Sequence, residues 1–78
     1  MKPKDIGATV SAIRGELGMT MVALAKKVGV SQPQISRLES GQQGFRSGTL
    51  VKIAKALRVP PFRLFMTDQE WSTWRKAR

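Results

Sequence analysis

Leu24-Ala25-Lys26-Lys27-Val28-Gly29-Val30-Ser31-Gln32-Pro33-Gln34-Ile35-Ser36-Arg37-Leu38-Glu39-Ser40-Gly41 is the stretch whose reading decides the fold. Just ahead of it Thr20 is placed to cap a helix in which Met21, Leu24, Ala25 and Val28 share one face, while Lys26 and Lys27 lie away from most of it. Gly29 stops that helix. Ser31 and Gln34 have the spacing of a capping box, and Pro33 falls in a first helical turn, where its missing N–H costs nothing. A second helix therefore begins at Gln32, turns Ile35 and Leu38 inward, and closes at Gly41, a residue suited to a left-handed C-cap. Helices joined by Gly29-Val30-Ser31 cannot be coaxial; the chain turns sharply between them.

Working outward, Ile6, Val10, Ile13 and Leu17 recur at helical spacing, with Asp5 as N-cap and Gly18 as the stop, which predicts a first helix over 6–17. Gly7 and Gly15 each weaken it by about 1 kcal/mol relative to alanine, so packing must hold it. Gln42-Gln43-Gly44-Phe45-Arg46-Ser47-Gly48 is aperiodic and reads as a loop. Leu50, Ile53, Ala54 and Leu57 mark a fourth helix, and Pro60-Pro61 break the chain and preset a short fifth one through Phe62, Leu64 and Phe65. Thr67 and Glu70 form another capping-box pair, which predicts a last helix over about 68–76 carrying Trp71 and Trp74. Strand patterns are absent, so the expectation is an all-α fold, and 78 residues leave room for one domain, residues 1–78.

Composition removes most chemistries. There is no cysteine, hence no disulfide and no Cys-ligated zinc, which fits a reducing cytoplasm. There is no histidine, which removes the commonest general base, the commonest metal ligand and the ordinary catalytic triads. Asp5, Glu16, Glu39, Asp68 and Glu70 are the only carboxylates, and their spacing suggests no site. No enzyme, metal or cofactor is expected. Lys and Arg number 14 against 5 Asp and Glu, a formal charge of +9, for which a polyanionic partner is the natural inference. Charge alone also suits a generally basic protein or a membrane surface, but no apolar run approaches the ~18 residues of a span.

Two short helices with a tight glycine-containing turn, the second well capped, follow the helix-turn-helix plan, whose second helix lies in the DNA major groove. The quoted stretch closely resembles the core of the phage repressor and Cro family of transcriptional regulators, also called the XRE family. Gly18-Met19-Thr20 and Leu50-Val51-Lys52-Ile53-Ala54-Lys55-Ala56-Leu57 extend the resemblance, which runs from about Ile6 to Phe65. It implies a compact five-helix lambda-repressor-like DNA-binding domain with a short additional C-terminal helix, the helix-turn-helix lying at about 20–40. Physical reasons for the residue types stand beside it. Ala25 is small where the helices cross, Gly29 permits positive φ, and Val30, Ile35 and Leu38 anchor the second helix.

The outward residues are then the groove candidates. Gln32 can pair bidentately with adenine and Arg37 with guanine, each good pair contributing about 1–3 kcal/mol of discrimination. Pro33 can offer only apolar contact or stiffen the helix start, and Ser36 is short enough for close approach. A solvated helix face is the plain alternative for Gln32 and Ser36, and phosphate binding for Arg37. Phosphate contacts are expected from Thr20, Ser31, Ser40, Gln42, Gln43, Arg46 and Ser47, at helix N-termini and the loop after the second motif helix. Lys26 and Lys27 have two readings, nonspecific attraction and a solvated face.

By the same resemblance, Arg14 and Glu39 match a partly buried ion pair that orients the recognition helix. The chain departs from the pattern in two places. Met21 stands where relatives often carry a phosphate-contacting glutamine, and Phe45 where a loop proline is common, which suggests that Phe45 fills a local core gap. Arg58, Pro60, Pro61 and Phe62 lie at a junction that commonly meets a two-fold mate. Trp71 and Trp74 have three readings: capping the core, a dimer interface, or base stacking. The expected partner is a palindromic operator in double-stranded DNA, bound by a symmetric homodimer with recognition helices about 34 Å apart. A phage-type repressor is the leading expectation; a restriction–modification controller is the alternative, as is an autoregulating antitoxin that holds a protein partner through its C-terminal helix.

Overall fold

The computed structural model describes residues 3–42 and 46–77. The helices are α1 (Pro3–Glu16), α2 (Met21–Val28), α3 (Gln32–Ser40), α4 (Ser47–Ala56) and α5 (Asp68–Ala77), with a short 3₁₀ helix, Pro61–Phe65, between the last two. No strand occurs among the described residues. The fold is all-helical and lambda-repressor-like.

Local hydrogen bonds explain most boundaries. Thr20 Oγ1 accepts the Ala23 N–H at 3.0 Å and Ser31 Oγ the Gln34 N–H at 3.2 Å, so each hydroxyl satisfies an otherwise orphaned helical donor. Gly29 (φ 86°) and Gly41 (φ 80°) close α2 and α3 in the left-handed region. At α5 both halves of the capping box are made: the Glu70 N–H donates to Thr67 Oγ1 at 3.1 Å, and the Thr67 N–H to Glu70 Oε1 at 2.9 Å.

Four expectations are corrected. The first helix starts at Pro3, so Asp5 lies inside it and is not its N-cap; a proline is well tolerated in a first turn. The helix stops at Glu16, and Leu17, now beyond it, is 49% exposed. Ser47 and Gly48 belong to the first turn of α4, not to a loop. The short fifth helix through Phe62, Leu64 and Phe65 is a 3₁₀ helix, in which Leu64 is fully buried while Phe62 and Phe65 face outward. The expectations for Gln43 and Phe45 lie outside the described residues.

The core gathers Ile6, Val10 and Ile13 from α1, Leu24, Ala25 and Val28 from α2, Ile35 and Leu38 from α3, and Leu50, Ile53, Ala54, Leu57 and Leu64 from the C-terminal half. α1 crosses the C-terminal end of α3 at Gly7. A Cβ built there would stand 2.7 Å from the Glu39 carbonyl oxygen and closer still to that of Leu38, so only glycine lets the two backbones approach this closely.

Candidate nucleic-acid interface

The sharp turn between α2 and α3 is made by Gly29 and Val30, whose N–H groups both donate to the Ala25 carbonyl, at 2.8 and 3.0 Å. Beyond it, Ser31 is extended (φ −81°, ψ 156°) and starts α3 at an angle to α2. Ile35 and Leu38 are buried on the core side. The opposite side exposes Gln32, Pro33 and Arg37, with Ser36 half-buried between them. All four expected base-contact residues thus lie along one helix, held by two core anchors.

α3 is fixed from behind by Arg14 of α1. Its Nε donates to Glu39 Oε2 at 2.7 Å and its Nη2 to Oε1 at 3.1 Å, while Nη1 reaches the Met19 carbonyl at 2.8 Å. The two side chains are 17% and 5% exposed. This two-pronged pair ties α1, the α1–α2 turn and α3 together. The hydrogen bond to Glu39 raises the Arg14 pKa above its ordinary value; burial opposes this and the carboxylate charge adds to it.

The expected phosphate contacts divide by what their hydroxyls already do. Thr20 and Ser31 use an oxygen lone pair for capping, which leaves each O–H free to donate. Ser40 Oγ instead donates to the Arg37 carbonyl at 3.1 Å, so its proton is engaged within the helix. Gln42 stands exposed just past Gly41, the C-cap of α3, and Arg46 and Ser47 stand exposed at the N-terminus of α4.

One feature of this surface escaped sequence reasoning. Met21, half-buried at the start of α2, accepts a hydrogen bond on its sulfur from Gln32 Nε2 at 3.4 Å. One amide N–H of Gln32 is thereby engaged, and the other N–H and the carbonyl oxygen remain, the pair that an adenine edge requires. The departure from the family glutamine at position 21 thus places a thioether beside the first residue of α3. Sequence separation hid the pairing, although each residue was singled out.

At the far end, Trp71 and Trp74 do not join the core. They stack on each other, 5.2 Å between centroids, and Phe62 meets Trp74 edge-on at 5.0 Å. The Arg63 guanidinium lies over Trp71 at 5.3 Å. An open groove of about 550 Å³, lined by Leu17, Leu57, Arg58, Trp71 and Arg75 among others, lies where α5 faces the ends of α1 and α4. Phe62, Trp71 and Trp74 are therefore brought together, with Pro61 and Arg58 exposed nearby in sequence. No cluster of potential metal ligands occurs among the described residues, and no described helix is long and apolar enough to cross a membrane.

Comparison with known proteins agrees with this geometry. The helix-turn-helix family HTH_3 matches residues 10–64. The chain is 38% identical over 58 residues to the transcriptional repressor RghR of Bacillus subtilis, covering 73% of this chain but 43% of that protein. It is 33% identical over 85 residues to an uncharacterised transcriptional regulator in the ATPase CF(0) region of Rhodospirillum rubrum, covering 92% of this chain and 78% of the relative. Among solved structures it resembles the restriction–modification controller protein C.AhdI from Aeromonas hydrophila, with a TM-score of 0.79 at 25% identity over 81% of this chain and 96% of that one. With a capped α2–α3 motif, a family match across most of its core and relatives that regulate transcription, the chain belongs to the HTH_3 helix-turn-helix family of DNA-binding transcriptional regulators.

Proposed function

We propose that this protein is a repressor of the phage type that binds a palindromic operator as a symmetric homodimer and acts by occupying promoter DNA. The observation that carries the reading is the exposed row Gln32, Pro33 and Arg37 on a helix locked from behind by Arg14–Glu39. Gln32 reads adenine, Arg37 guanine, Pro33 supplies apolar contact and Ser36 permits close approach. Thr20, Ser31, Gln42, Gln43, Arg46 and Ser47 hold phosphates, with Ser40 joining them once its hydroxyl rotates. Arg58, Pro60, Pro61 and Phe62 with Trp71 and Trp74 form the two-fold face, since an aromatic cluster left half-exposed is suited to bury itself against its own copy. The α5 surface is also where a protein partner would attach. Residues 1–78 act as one domain, in the cytoplasm, without catalysis.

A restriction–modification controller is the second reading, favoured by the likeness to C.AhdI over nearly that whole protein. Selecting bound sequences from random duplexes tests the first reading directly, and a two-fold-symmetric site with half-sites one helical turn apart is the expected result. A single unrepeated half-site would reject the dimer. Arg37→Ala should weaken that operator by about tenfold or more and random DNA little; equal losses on both would make Arg37 a phosphate contact.

A further inference from the structure

Separate from the proposed base- and phosphate-contact residues, and sharing only Arg58 with the proposed two-fold face, the C-terminal ends of α2 and α4 border a groove of about 470 Å³ lined by Lys27, Val28, Lys52, Lys55, Ala56 and Arg58. Among the described residues no carboxylate lines it, and the Arg14–Glu39 ion pair lies elsewhere. Lys52, Lys55 and Arg58 recur at three-residue spacing, so they form one stripe along α4 and its exit, with Lys27 facing them from α2.

We propose that this groove docks an acidic segment of another protein, one that sets carboxylates on either side of an apolar side chain. The four cations supply the charge complement, and Val28 and Ala56 supply an apolar floor. A duplex backbone suits the site poorly. It presents no apolar group to fill the concavity beside Val28 and Ala56. The groove also stands about 10 Å along α2 from Thr20 and about 12 Å along α4 from Ser47, so DNA on the N-terminal ends leaves it open.

The helix dipoles account for Lys27 and Lys55, which sit in last turns, but not for Lys52 or Arg58. Arg58 holds φ 60°, the only non-glycine positive φ among the described residues, at the position after the helix end that glycine usually takes. Its N–H donates to the Lys55 carbonyl at 3.1 Å and that of Val59 to Ala54 at 3.0 Å, completing the glycine-type helix exit. Arg58 borders both this groove and the one beside α5, so its side chain stands at the edge of the basic stripe.

The test titrates the isotopically labelled full chain with the peptide Glu-Leu-Glu-Glu-Leu-Glu, its Gln-for-Glu counterpart and a random duplex, following amide resonances. The acidic peptide should shift Lys27, Val28, Lys55 and Ala56, also when the duplex is bound, and the neutral peptide should not. The double variant Lys52→Glu/Lys55→Glu should lose about tenfold in peptide affinity, and the equally charged control Lys26→Glu/Lys76→Glu about twofold. All four lysines are exposed, so both variants keep the fold, which circular dichroism checks. Equal losses in the two variants would reduce the effect to net charge. Groove resonances that respond to the duplex and not to the peptide would make it a nucleic-acid contact, and absence of any groove shift would sink the proposal.

Discussion

Gly7 and Gly15 share α1 and the same intrinsic penalty, yet their surroundings differ. A Cβ at Gly15 meets nothing within 4 Å, whereas one at Gly7 runs into the backbone carbonyls of Leu38 and Glu39. Gly15→Ala should therefore stabilise the protein by about 0.5–1 kcal/mol through helix propensity. Gly7→Ala should cost about 2 kcal/mol or more, because α1 and α3 must separate, lowering Tm by about 10 °C. Thermal melts of the two variants check this, and a shift in the same direction would mean that the α1–α3 approach is not tight. Periodicity treats both glycines alike. What distinguishes them is a neighbour more than thirty residues away in the chain. The same holds for Met21 and Gln32, whose contact depends on how sharply α2 and α3 turn.

Among the elements, α2 and α3 were legible to the residue, since each is bounded by a side-chain cap and a left-handed glycine that act within one turn. α5 was legible in extent through Thr67 and Glu70, but not in its attachment. A helix of ten residues is marginal in water by itself, and it gives no residue to the core, leaning instead on Phe62 and on Arg63 through its two tryptophans. It should behave as a separate, weaker unit. Trp71→Ala should release residues 68–77 to nearly unprotected amide exchange while α1–α4 keep their protection and melt close to the original temperature. Hydrogen exchange read residue by residue checks this; loss of protection throughout the chain would show α5 to be part of one cooperative unit.

For the whole molecule, a formal charge of +9 on 78 residues governs how it meets DNA. If about six phosphates are neutralised, affinity should fall by about a thousandfold between 50 and 200 mM salt as counterions are released. Binding isotherms over that range measure the slope, and a flat dependence would contradict binding through the basic residues to the phosphate backbone. By itself, the sequence determined the helical class, the helix-turn-helix, the caps and the outward residues of α3. Those depend on hydrogen bonds and periodicities only a few residues long. Tertiary structure alone decided that Gly7 is a crossing point, that Leu17 and Phe65 face outward, that the tryptophans stack away from the core, and that Lys27 joins Lys52, Lys55 and Arg58 in one groove. Each of these is set by which distant surface a residue meets, and no local rule of spacing or capping contains that information.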